Sequence, residues 1–270
     1  MDFQTKMLLG TFAVTVLLGL IIVPILRKLK VGQIERTDGP QSHLKKQGTP
    51  TMGGIIIMLG IIIATCCAYV YYKGKDAALA QNLIPILCLT TGFGIIGFID
   101  DYKKLVLKNT EGLKPKLKML GLLIISIAFV SYLVWGLKIG TETYIPFANK
   151  YVTIPIWLYI PFAILVILAT TNAINLTDGI DGLSSSVSTI IITCLTIIAT
   201  MFGTKEIIVF GAIVIGAVLA IAMVTSVSKL ANFGTSNQLL INIPRTFEFT
   251  SGLSGLFSLN GSIINWLKEK

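Results

Sequence analysis

Charge is scarce in this chain. Of its 270 residues only 13% are Asp, Glu, Lys or Arg, whereas 54% are hydrophobic, and the mean hydropathy is +0.82. Soluble domains carry about 25% charged residues. The composition therefore excludes a soluble globular domain and indicates a polytopic membrane protein. Histidine is nearly absent, with His43 alone in a loop, where a lone imidazole is ordinarily just solvated. Cysteine is limited to Cys66, Cys67, Cys88 and Cys194, all inside apolar runs and without a Cys-x-x-Cys pair. That spacing excludes a cysteine metal site and predicts buried apolar fillers. No small-residue cleavage site follows the first apolar run, so a cleaved signal peptide is not expected. No repeat of 20–50-residue period is present.

What charge there is has one sign in excess. The net charge is +9. In a soluble chain that would suggest nucleic acid, but no aromatic stacking pattern or helix-turn-helix accompanies it. The basic residues cluster in two loops between apolar runs. Segments 27–49 and 100–118 each carry six Lys or Arg, whereas 71–82 and 138–155 carry two each. The excess of positive charge on cytoplasmic loops predicts that the two rich loops are inside and the N-terminus outside.

Seven apolar runs approach the ~20 residues that a bilayer demands. They are 7–26, 53–71, 83–99, 118–137, 156–173, 184–201 and 207–227. The fold class expected is all-α, a transmembrane helical bundle spanning residues 1–228, followed by a polar tail over 229–270. Within the tail, 262–270 suits a short interfacial helix anchored by Trp266. The loop 144–154 suits a small β-hairpin turning at Asn149-Lys150. Pro24, Pro85, Pro155 and Pro161 read as helix-start or kink residues.

Against that apolar background two acidic clusters stand out. Asp100-Asp101 ends the run 83–99 and meets Lys103-Lys104. Carboxylates are unfavourable at a helix C-terminus, where the dipole is already negative. The pair therefore needs a lysine or a cation, and Mg²⁺ typically takes one or two carboxylates together with substrate phosphates. Asn172, Asn175, Asp178 and Asp181 recur every three residues at the end of another run. On a helix, successive members are neighbours and form one oxygen-rich strip. Alternate-residue ligand spacing is absent, which excludes an EF-hand. The plainer reading of that cluster, an N-cap and turn, does not account for two Asn and two Asp at one pitch, although Asp181 alone suits a turn.

A third segment, Lys45-Lys46-Gln47-Gly48-Thr49-Pro50-Thr51-Met52-Gly53-Gly54, carries two glycines at P-loop spacing. Gly54-Ile55 follows where Lys-Ser/Thr is required, so the nucleotide-loop reading fails. A basic glycine-rich turn able to face phosphate remains one reading; a plain loop leading into a helix is the other.

Taken together, Ser42-His43-Leu44-Lys45-Lys46-Gln47-Gly48-Thr49-Pro50-Thr51-Met52-Gly53-Gly54, Asp100-Asp101-Tyr102-Lys103-Lys104 and Asn172-Ala173-Ile174-Asn175-Leu176-Thr177-Asp178-Gly179-Ile180-Asp181-Gly182-Leu183 resemble the phospho-N-acetylmuramoyl-pentapeptide-transferase family. That family sits within the polyprenyl-phosphate sugar-1-phosphate transferases (glycosyltransferase 4). The resemblance runs over about residues 31–217. It implies a ten-helix, commonly homodimeric enzyme of the bacterial inner membrane, with a cytoplasmic site and a Mg²⁺ requirement. The implied reaction moves phospho-MurNAc-pentapeptide from UDP-MurNAc-pentapeptide to undecaprenyl phosphate, giving lipid I and UMP. The partners implied are those two substrates and membrane lipid, with no nucleic acid. By the same resemblance Asp100, Asp101 and Asp178 are catalytic. Lys46, Thr51, Lys104, Asn172, Asn175 and Asp181 bind substrate or phosphate, and Asp100, Asp101 and Asn175 hold the metal.

Beyond residue 217 the chain leaves the family pattern. The family carries a Phe-Met-Gly-Asp-x-Gly segment and a histidine-rich loop after the seventh span. Here no Asp follows Asp181 and no His follows His43. A truncation or altered reading frame near residue 218 would produce this, and the alternative expectation is a member that keeps the start of the fold without turning over. A transporter is a further alternative. It is disfavoured because transporters place ionisable groups near the bilayer midplane, whereas these acids lie at the ends of apolar runs.

Overall fold

The computed structural model describes residues 2–28, 53–105, 112–145, 150–177 and 183–233. Among them are seven helices long and apolar enough to cross a membrane, so the chain is an all-α, multi-pass membrane bundle. The helices are α1 (Phe3–Lys28), α2 (Gly54–Lys73), α3 (Ala77–Leu105), α4 (Pro115–Ser131), α5 (Ile156–Thr177), α6 (Leu183–Phe202) and α7 (Lys205–Phe233). In hydrocarbon every backbone polar group must be satisfied internally, which leaves helices as the local solution for such runs. Hydroxyl side chains obey the same constraint. Thr11, Thr91, Ser126 and Thr193, for example, each donate to the carbonyl four residues earlier, at 2.6–2.7 Å.

Several helices outrun their apolar cores. α3 starts at Ala77 because Asp76 Oδ1 accepts the Leu79 N–H at 3.1 Å and caps the first turn. At its other end α3 continues through Asp100-Asp101 to Leu105, so the acids lie inside the helix rather than after it. α5 likewise carries Asn172 and Asn175 as helical residues. α4 begins at Pro115, a proline in the first turn, and closes in a π-helical turn, Tyr132–Gly136. Pro24, Pro85 and Pro161 all lie inside helices.

Between α4 and α5 lies the only described sheet, an antiparallel pair of β1 (Glu142–Ile145) and β2 (Lys150–Thr153). Its register pairs Glu142 with Thr153 and Ile145 with Lys150. The hairpin is as expected, but its turn is not at Asn149-Lys150. Lys150 belongs to β2, and the connection 146–149 lies outside the described residues.

The chain divides into two compact units, Met1–Val224 and Thr225–Lys270. In the second, α7 runs on to Phe233, and the suggested helix at 262–270 lies outside the described residues. In the first, α7 is the central element. More than half of its span is buried, against none of the α5 span and little of α6. Val209, Ile213 and Ala217 of α7 meet Ile61, Ala64 and Ala68 of α2 and Leu79 and Leu83 of α3. A second cluster joins Val23 of α1 and Ile56 of α2 to Ile221 and Val224.

Membrane helices associate through close packing of small residues rather than through hydrophobicity, and the contacts here follow that rule. A side chain at Gly216 would strike the Leu8 carbonyl of α1, and one at Gly60 would strike the Thr15 hydroxyl. The cysteines depart from expectation. All four lie on exposed helix surfaces and are unpaired as disulfides. None of them is packed into the core formed by the described helices.

The end of the bundle that holds the hairpin is rich in aromatics. Phe3 stacks on Tyr71 at 3.9 Å and meets Tyr72 edge-on at 4.9 Å. Lys75 Nζ lies 3.8 Å from the Tyr71 ring, and Lys205 pairs with Asp76 at 3.6 Å. These contacts tie α1, α2, α3 and α7 together at an interfacial belt.

Close approach of α1 and α7 makes Gly216 a sensitive position. Gly216→Leu is expected to cost at least about 1–3 kcal/mol by overpacking. Gly10→Leu, where an added Cβ meets nothing within 4 Å, is expected to be nearly neutral. Thermal unfolding in detergent checks both; equal melting temperatures for the two variants would contradict this packing.

Candidate active site

The far ends of α3 and α5 and the start of α4 come together at one membrane face. At their centre is Asp100, one of the few buried polar residues, at 5% exposure. Its Oδ2 accepts from Lys104 Nζ at 2.9 Å and from Lys118 Nζ at 3.2 Å, and its Oδ1 accepts the Leu113 backbone N–H at 2.9 Å. Lys104 lies one turn along α3, the favourable acid-before-base order for an i,i+4 pair. Lys118 comes from the first turns of α4, beyond Pro115. One carboxylate thus fastens the end of α3 to the following loop and to the next helix.

Gly112 makes that fastening possible. It has φ +65, and a Cβ there would lie 2.6 Å from Asp100 Oδ1. Both the left-handed backbone and the close approach call for glycine.

Lys118 also leads to the second cluster. Its neighbour Met119 lies beside Asn172, with Nδ2 to Sδ 3.9 Å, while Asn172 Nδ2 donates to its own Leu168 carbonyl at 2.8 Å. Asp100 and Asn172, far apart in sequence, thus contact successive residues of α4, Lys118 and Met119. Asn175 follows one turn beyond Asn172 and is exposed. Asp101, turned about 100° from Asp100 on the helix, lines an apolar groove between α2 and α3. Lys104 is half-exposed although paired. His43, Lys46, Thr51, Asp178 and Asp181 lie outside the described residues.

Two groups here escape sequence reasoning. Lys118 reads only as loop charge, since nothing in its spacing ties it to Asp100, and the Leu113 N–H has no sequence signature. The usable signal is indirect: Pro115 marks a helix start, which places Lys118 at the membrane face.

For a divalent cation the described donors differ. Asp100 has three of roughly four acceptor positions taken, two of them by ammonium groups that repel a metal, so it does not fit as a ligand in this arrangement. The Asp101 carboxylate and the Asn175 amide oxygen are hard donors of the kind Mg²⁺ accepts. Among the described residues no cluster of three or more His, Cys, Asp or Glu side chains is present, and Mg²⁺ typically needs only one or two carboxylates.

Comparison with known proteins identifies the family. The pattern of glycosyl transferase family 4 matches residues 83–226, and phospho-N-acetylmuramoyl-pentapeptide-transferase signature 1 matches residues 46–58. Three curated relatives bear the name phospho-N-acetylmuramoyl-pentapeptide-transferase. The one from Acetivibrio thermocellus is 40% identical over 211 residues, 77% of this chain and 61% of the relative. That from Clostridium botulinum (strain Eklund 17B / Type B) is 44% identical over 212 residues, 78% and 62% respectively. That from Caldicellulosiruptor bescii is 36% identical over 231 residues, 86% and 69%. The chain thus spans about 61–62% of the length of the first two relatives. On pattern, signature and identity alike, this chain belongs to glycosyl transferase family 4, among the phospho-N-acetylmuramoyl-pentapeptide-transferases.

Proposed function

We propose that this chain carries the membrane core of a transferase that joins UDP-MurNAc-pentapeptide to undecaprenyl phosphate, giving lipid I and UMP. The reading places the reaction at the cytoplasmic face of a bacterial inner membrane, in a homodimer. The observation that supports it most is the meeting of Asp100, Lys104 and Lys118 where α3 ends and α4 begins, in a chain of this family.

The chemistry is phosphoryl transfer. An oxygen of the lipid phosphate attacks the β-phosphorus of the UDP-linked sugar. The new P–O bond forms as the bond to the UMP oxygen breaks, and UMP leaves with that electron pair. Little covalent chemistry is asked of the protein, which aligns the partners and neutralises charge. Lys104, half-exposed beside Asp100, is the cation best placed to follow a phosphate. Lys46 and Thr51 contact phosphate from the first basic loop, and Asn172 and Asp181 contact the nucleotide side. Asp101 and Asp178 are the acids left to take the acceptor proton or hold metal. Asp101 or Asn175 would offer Mg²⁺ a hard oxygen donor, and the ion would supply neutralisation of diphosphate charge.

A second reading is a family member that binds without transferring. It is favoured by one observation, the lack of any aspartate after Asp181. Purified chain incubated with both substrates and Mg²⁺ separates the two. UMP release supports the first reading, binding of the UDP-sugar without UMP supports the second, and absence of both contradicts each.

Orientation gives one expected outcome. In a background with the four cysteines replaced by alanine, a cysteine at Lys150 should react with an impermeant thiol reagent in intact cells, and one at Lys116 should not. The reverse pattern would remove the cytoplasmic site. The acids give another. Where turnover is present, Asp100→Asn, Asp101→Asn and Asp178→Asn should each lower UMP release by at least ~10²-fold, the scale of losing one preorganised electrostatic group. Asp181→Asn should do less. Near-normal rates in the first three would exclude them from the site.

A further inference from the structure

Away from the acidic face, a groove of ≈ 380 Å³ lies between α3 and α4, near the lower end of the ~300–1,000 Å³ typical of small-molecule sites. Ile84, Cys88 and Leu89 of α3 face Ile125, Phe129 and Tyr132 across it. The Cys88 thiol and the Tyr132 hydroxyl are the only side-chain heteroatoms in its lining. Both residues are exposed, so the groove is open at the surface of the bundle. At 1.5 Å per residue, the α4 wall from Ile125 to Tyr132 is about 10 Å long, about a third of a ~30 Å hydrocarbon core. The groove lies in the half of the bundle that carries the hairpin, because α3 begins and α4 ends there.

Just beyond the groove, α4 ends on a strained residue. The π-helical turn Tyr132–Gly136 closes with the Leu137 N–H donating to the Tyr132 carbonyl at 3.0 Å, and the Ile139 N–H donates to the Leu133 carbonyl at 3.1 Å. Between these two donors sits Lys138 with φ +53, the one non-glycine of left-handed backbone among the described residues. Glycine is the ordinary occupant of such a position after a helix, because the left-handed conformation costs an L-residue free energy. Lys138 is exposed. The ion pairs of the described residues join Asp100 to Lys104 and Lys118 and Asp76 to Lys205, so no carboxylate among them is given to Lys138. Trp135, 63% exposed, belongs to the same π-helical turn, and tryptophan favours the head-group level of a bilayer. A lysine is thus kept where glycine would be easier, little more than one turn beyond Tyr132 and beside an indole.

We infer that the groove and Lys138 together bind an anionic phospholipid of the leaflet on the hairpin side, with one acyl chain between α3 and α4 and the phosphate on the Lys138 ammonium. The inference does not depend on the transferase reading. Apolar walls suit a hydrocarbon chain and offer nothing to a polar ligand body. The head group meets a cation that no described carboxylate neutralises, and this favours a lipid of net negative charge over a zwitterionic one. A lipid held there fills the space between the two helices whose other ends carry Asp100 and Lys118.

Native mass spectrometry of the purified chain tests this with phosphatidylglycerol and phosphatidylethanolamine of the same chain length. The wild type should bind phosphatidylglycerol at least about fivefold more tightly, the scale of one lysine facing an anionic lipid. Lys138→Gly removes the cation where the backbone suits glycine, so it should fold and lose the preference; Lys138→Arg should keep it. Ala128→Trp fills the groove from α4 and should weaken binding of both lipids. Cys88→Trp does so from α3 and serves if the first variant misfolds. Leu195→Trp, on the exposed face of α6, should bind as the wild type does. Location is read separately in a chain with Cys66, Cys67 and Cys194 replaced by alanine. There phosphatidylglycerol should slow alkylation of Cys88 by N-ethylmaleimide, and glycerol 3-phosphate, a free anion, should not. Equal binding of the two lipids by the wild type would overturn the assignment. So would a preference retained in Lys138→Gly, binding retained in both groove variants, or Cys88 alkylation unchanged by phosphatidylglycerol. Protection of Cys88 by glycerol 3-phosphate would also overturn it, by showing an anion site that needs no lipid chain.

Discussion

A single buried carboxylate organises the functional end of this bundle. Asp100 sits where hydrocarbon gives way to the polar face, and it accepts from Lys104, Lys118 and the Leu113 N–H at once. An acid there without partners would be untenable, because desolvating a lone charge costs several kcal/mol and the helix dipole opposes it. With those partners the same charge becomes a fixed joint. It sets the direction of the chain through Gly112, the start of α4 at Pro115, and through Met119 the distance from α4 to Asn172 on α5.

The joint has value only because the bundle behind it is rigid. α7 anchors α1, α2 and α3 by small-residue contacts that tolerate little displacement. At the opposite end Asp76 caps α3 and pairs with Lys205 of α7. α3 is thus fixed at both ends by an aspartate, and its two faces are given different tasks. The Asp100 face turns toward α4, and the Asp101 face turns toward the groove shared with α2. Neighbouring residues of the same type acquire different environments because a helix turns about 100° per residue.

The seven spans are legible in the sequence because a bilayer dictates their length and excludes charge from their interiors. The hairpin is legible too, from its alternation and flanking polar residues. The helix ends are less so. Asp76 is a capping acid and Lys104 an i,i+4 partner, and both extend α3 past the apolar run on which the 83–99 boundary rests. The cysteines illustrate the converse limit: apolar surroundings in sequence do not say whether a residue is packed into the core, and here none of the four is buried. Of the candidate site, the acids and asparagines declare themselves by being polar where polarity is costly. Lys118 does not, because lysines are common between apolar runs and its partner lies 18 residues away.

The most direct test of this account is a double-mutant cycle on Asp100 and Lys118, read by thermal unfolding of the purified chain in detergent. Asp100→Asn and Lys118→Met remove the two ends of one interaction, so the double variant should be more stable than the sum of the single losses predicts. A coupling of at least about 1 kcal/mol is expected, within the range for residues in direct contact. Losses that add to within about 0.5 kcal/mol would mean that the two residues act independently, and that the carboxylate does not hold this face of the bundle together.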